Sequence, residues 1–125
     1  MSPPSPSLVL DQEEAGLVDY LRRCTRADDR VFAAWFAPQL YFFSGRAFAG
    51  GMVVTFGGHW SDPARQNRIV AKLKSESVPV AIFEDDGAEF RATYPIVDDY
   101  LRATYSTAGS VGPYRVLVRN GVEGC

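Results

Sequence analysis

Apolar positions along the chain fall into two rhythms, helical and continuous. Between residues 10 and 25, Leu17, Val18, Leu21 and Cys24 recur at helical period and share one face. Asp11 and Glu14 have capping-box spacing ahead of that face, with Asp11 accepting from the backbone and Glu14 reaching back. Arg22, Arg23 and Arg26 complement the dipole at the other end. A second helical stretch follows Asp62 and Pro63, an N-cap and a first-turn proline, with Ile69, Val70 and Leu73 as its apolar stripe. A third starts at Pro95 and turns Ile96, Val97, Tyr100, Leu101 and Tyr105 inward.

Continuous apolar runs lie between these helices. "DDRVFAAWF" and "VPVAIFED" suit strands buried on both faces, and "YRVLVRNG" alternates through Val116 and Val118 to an Asn-Gly turn. "GGMVVTFGG" is a short β-branched run between glycine pairs, fit for an edge strand. Gln39 to Ser44 reads as a short helix or turn that Gly45 stops in the left-handed conformation. The expected order is helix, strand, short helix, short strand, helix, strand, helix, strand. That alternation predicts an α/β layer fold: a small Rossmann-like domain with a mostly parallel central sheet of about four strands. The last strand is the one for which an antiparallel direction is allowed.

The opening seven residues, "MSPPSPS", are Pro/Ser-rich and read as a linker, which leaves residues 8–125 as a single domain. At 125 residues with 46% hydrophobic and 22% charged side chains, the chain is long enough to bury a sizeable core. A net charge of −2 gives no overall field to draw it to nucleic acid or to an anionic membrane. The longest uncharged run, residues 31–45, is interrupted by Pro38 and Gln39 and falls short of the ~20 apolar residues of a membrane span. No signal-peptide pattern is visible. Cys24 and Cys125 have neither metal-ligand nor CxxC spacing. They read as a partly buried thiol and a free terminal one, with a single bridge between them as the alternative.

No motif defines catalytic chemistry. His59, the one histidine, stands in "GGHW" without HxH or HExxH spacing, so it is a ligand-binding candidate at most. The glycines of "GRAFAGG" and "FGGHW" match neither GxGxxG nor GxxxxGK[ST], and no cofactor is expected. "EDDGAE" holds four carboxylates, which suit a solvated turn better than a metal site; no metal ligands are assigned. The most suggestive cluster follows the first strand. Arg46 offers a planar fork for a carboxylate or phosphate, Tyr41 a ring for stacking, and Ser44 and Gly45 lie between them. Against this stands a purely structural role, in which Leu40, Phe42 and Phe43 plug the core and Arg46 lies at the surface.

"VFAAWFAPQLYFFSGR", "RQNRIVAKLKSESVPVAIFE" and "YPIVDDYLRATY" together resemble the soluble C-terminal domain of bacterial membrane-embedded glycosyltransferases of the protein-mannosyltransferase and aminoarabinose-transferase type, the GT-C architecture. The matching positions are Pro38, Tyr41, Phe42, Ser44, Gly45, Arg46, Pro79, Tyr94, Pro95 and Tyr105, and the likeness runs from about Leu8 to Asn120. It implies an extracytoplasmic domain, inactive alone, that covers the active site, binds acceptor or lipid-linked donor, or supports assembly. Its partner would be the membrane-embedded remainder, with carbohydrate or a lipid-linked sugar as ligand; Met1 would then be an introduced start. This sequence lacks the membrane helices and the acidic loop residues that such enzymes use in catalysis. Two other readings stand beside it: a free-standing module binding a nucleotide, sugar or small anion through Tyr41, Ser44 and Arg46, and a ligand-free interaction domain, for instance a homodimer through its aromatic surface.

Overall fold

A computed structural model describes residues 11–35, 37–51 and 61–122. Helix α1 spans Gln12–Cys24, strand β1 Arg30–Ala33, helix α2 Pro38–Ser44 and strand β2 Ala47–Phe48. Helix α3 spans Pro63–Ser75, strand β3 Val80–Glu84, and helices α4 and α5 cover Ala88–Thr93 and Pro95–Thr104. A hairpin of β4, Tyr105–Val111, and β5, Tyr114–Arg119, completes the sheet.

The fold is α/β, with five strands in the order β2-β1-β3-β5-β4. The sheet is mixed. β1 pairs in parallel with β2 and β3, whereas β5 pairs antiparallel with both β3 and β4. The expected mostly parallel sheet of about four strands is therefore corrected, because β4 adds a strand and its hairpin with β5 reverses the chain. Strand alternation divides the core in two. Phe32, Ala81, Phe83 and Leu117 face Ile69, Leu73, Phe90, Val97 and Leu101, from α3, α4 and α5. Val31, Ala33, Val80, Ile82 and Val116 face Leu17, Val18, Leu21, Leu40 and Phe43, from α1 and α2. Helices thus cover both faces.

The helix starts follow their sequence signals. Asp11 Oδ1 accepts from the Glu14 amide at 2.7 Å, and Asp62 Oδ2 from that of Arg65 at 3.1 Å. Glu14 does not close the box; its carboxylate accepts instead from Gln39 Nε2 at 2.9 Å, tying α1 to α2. Helix α5 has no capping side chain of its own. Gln66, buried on α3, supplies one: its Oε1 accepts from the amides of Ile96 and Val97 at 2.9 and 3.3 Å, and its Nε2 donates to the Ser61 carbonyl.

Three further expectations change. Tyr105 begins β4 instead of closing the preceding helix, and its hydroxyl donates to the Val78 carbonyl. β4 escapes notice because most of it is exposed and polar, held by pairing rather than by an apolar face. The short edge strand forms at Ala47–Phe48, ahead of Gly50 and Gly51, while residues 52–58 of the expected strand lie outside the described residues. "EDDGAE" keeps its expected place as an exposed turn after a strand, and it leads into α4 with Asp86 Oδ1 accepting from the Ala88 amide at 2.9 Å. Finally, Cys24 is disulfide-bonded and carries no free thiol.

Candidate functional site

The corner from Tyr41 to Arg46 is built by the end of α2. Pro38 opens that helix at its first turn, and Gly45, at φ 70° and ψ 20°, stops it. The Gly45 amide donates to the Tyr41 carbonyl at 3.0 Å. Ser44, buried, donates its hydroxyl to the same carbonyl at 3.4 Å and accepts from the Arg46 amide at 3.3 Å. This compact stop turns the chain and sends the Arg46 side chain back towards α1.

Arg46 is held there by neutral oxygens. Its Nε donates to Thr25 Oγ1 at 2.8 Å and Nη1 to the Ser44 carbonyl at 3.1 Å. Nη2 donates to the carbonyls of Thr25 at 3.1 Å and Arg22 at 3.3 Å. Four of the five guanidinium hydrogens are thereby used. The cation sits where the C-terminal carbonyls of α1 and α2 converge, and both helix dipoles favour it. The geometry is that of a double C-terminal cap.

Tyr41 is equally occupied. Its phenol reaches back to β1, where the Ala33 amide donates to it at 3.2 Å, and its ring meets Phe48 edge-on at 6.2 Å. Burial pushes its pKa up to about 12, and the Ala33 hydrogen bond pulls the other way. Only 9% of the residue is exposed, so its ring offers no stacking surface. Of its neighbours, Leu40 and Phe43 are buried as core plugs, but Phe42 is 60% exposed. The structure thus brings Tyr41, Ser44, Gly45 and Arg46 together, with their polar groups engaged within the fold. His59 lies outside the described residues.

Two polar clusters were not singled out in the sequence. Trp35, just beyond β1, stacks on Tyr114 at 5.2 Å between ring centroids and 16° between planes. Burial first, then the carboxylates of Glu14, Asp11, Glu84 and Glu13, raise the Tyr114 pKa to about 12. On α5, Asp98 is fully buried; its Oδ2 accepts from Arg102 Nε at 2.7 Å and lies 3.8 Å from Arg91 Nε, while Oδ1 has no hydrogen-bond partner among the described residues. The i, i+4 spacing of Asp98 and Arg102 was visible in the sequence, but not the depth at which the carboxylate sits. Among the described residues, no group of three or more His, Cys, Asp or Glu side chains could hold a metal ion.

Compared with known proteins, the chain matches no family model, no curated protein and no solved structure. No helix among the described residues is long and apolar enough to cross a membrane.

Proposed function

We propose that this chain is a soluble accessory domain of a membrane glycosyltransferase-like protein, displayed on the extracytoplasmic side and contributing to acceptor or lipid-linked donor binding or to assembly. The observation that carries this reading is the work done by the residues on which the resemblance rests. Pro38, Tyr41, Ser44, Gly45 and Arg46 build one corner that locks α2 to β1 and α1. Pro95 opens α5, Tyr94 packs on Phe90 at 5.1 Å, and Tyr105 ties β4 to the Val78 carbonyl. These residues set the fold, as expected of a shared domain whose chemistry lies in another part of the protein. The disulfide at Cys24 supports the location, since such bonds persist in oxidising compartments.

The same geometry weighs against a free-standing module that grips its ligand with Tyr41, Ser44 and Arg46, because those groups are spent internally. The test is the reading frame upstream of Met1. Several in-frame apolar runs of about 20 residues are expected there. A ribosome-binding site directly preceded by an in-frame stop codon would overturn the proposal.

A further inference from the structure

We propose that a cleft between the end of α1 and the amino-terminal edge of the sheet binds a phosphate-bearing anion. The cleft has a volume of about 470 Å³, within the range of small-ligand sites. Arg23 and Arg26 line it from the end of α1 and the turn beyond, and Arg119 from the end of β5. Arg23 already pairs with exposed Asp19 at 2.9 Å. Arg26 and Arg119 have no ion-pair partner among the described residues, and these two arginines from distant parts of the chain line one cavity.

The one carboxylate in the lining is already engaged. Asp29 accepts from the Arg26 amide at 2.8 Å through Oδ2 and from Ser77 Oγ at 2.7 Å through Oδ1, and it is only 8% exposed. Forked donors around a cavity of this size select a planar or tetrahedral oxyanion, and the volume beyond one phosphate leaves room for the group that carries it. A soluble phosphate ester and a phospholipid headgroup share this chemistry. Of the positions on which the glycosyltransferase resemblance rests, Pro79 lines the cleft, but Arg26 and Arg119 are not among them, so either proposal can fail without the other.

The experiment is a titration of the isotope-labelled 125-residue chain with inorganic phosphate, followed by amide chemical shifts at constant ionic strength. Saturable shifts are expected at Thr25, Arg26, Ser77 and Arg119. An Arg26→Gln/Arg119→Gln variant should bind about tenfold more weakly or worse, whereas Arg65→Gln/Arg68→Gln, which removes charge from the exposed side of α3, should bind as before. Should the first pair fail to fold, Arg26→Gln alone serves, because that side chain is exposed and holds no other element in place. Linear, non-saturating shifts, or equal losses in both double variants, would overturn the proposal. Flotation with phosphatidylcholine vesicles, with and without phosphatidylglycerol, separates the sources. Capture by the anionic vesicles that disappears in the Arg26 and Arg119 variant supports a headgroup, and phosphate saturation without capture supports a soluble ester.

Discussion

Arg46 shows how a residue suited to gripping a ligand can instead be a fastener. Its cation meets three main-chain carbonyls and one hydroxyl, which span the ends of two helices. Arg46→Ala would leave those carbonyls to water or to poorer partners, and we expect a loss of about 1–3 kcal/mol in urea unfolding. Arg46→Lys should recover only part of it, because an ammonium cannot reach the same acceptors with a planar fork. Unchanged stability in the alanine variant would mean that the four bonds contribute nothing net, and the corner would again be open to a ligand role. The arginine was legible in the sequence as the notable residue of "FFSGR". Its partners were not, because Arg22 and Thr25 lie more than twenty positions away and no periodicity joins them to residue 46.

Helix α5 is the element most dependent on another. It opens on Pro95 after Tyr94, which gives no side-chain cap, so its first amides rely on Gln66 of α3. Gln66→Ala should cost about 2 kcal/mol, since at least the Val97 amide is buried and would lose its acceptor. Hydrogen exchange should quicken at Ile96 and Val97 while the amides of α1 keep their protection, and uniform acceleration would sink this assignment. Sequence legibility divides along the same line. The starts of α1 and α3 were readable because Asp11, Asp62 and Pro63 act within their own first turns. The cap of α5 comes from thirty residues upstream, and β4 is held by its ladder to β5, so neither leaves a local signal. The mixed sheet follows from that same unseen strand. The arginine cleft was hidden in a similar way: a net charge of −2 for the whole chain says nothing about two guanidinium groups that only folding brings together.

For the molecule as a whole, buried phenols set an alkaline limit. Tyr41 and Tyr114 have pKa values raised to about 12, and that of Tyr105 is also raised, by burial and then by Tyr100, against the opposing pull of Arg119. In the unfolded chain these groups ionise near the usual value of 10.0. Above that pH the folded state therefore holds protons that the unfolded state has released, and stability must fall as pH rises. Below about pH 10 both states are protonated and these tyrosines add no pH dependence. Between about pH 10 and about pH 12, each should remove up to about 1.4 kcal/mol per pH unit. Urea unfolding at about pH 9 and about pH 11 should show the drop, with phenolate absorbance appearing together with loss of structure rather than ahead of it. Tyr41→Phe removes one of the titrating groups and should flatten the decline by about one group's share. The three residues belong to β1's cover, the β4 ladder and the β5 start, so a common transition would report one cooperative sheet. Ionisation of any of them near its ordinary value, with the fold intact, would show that its burial is looser than the structure has it.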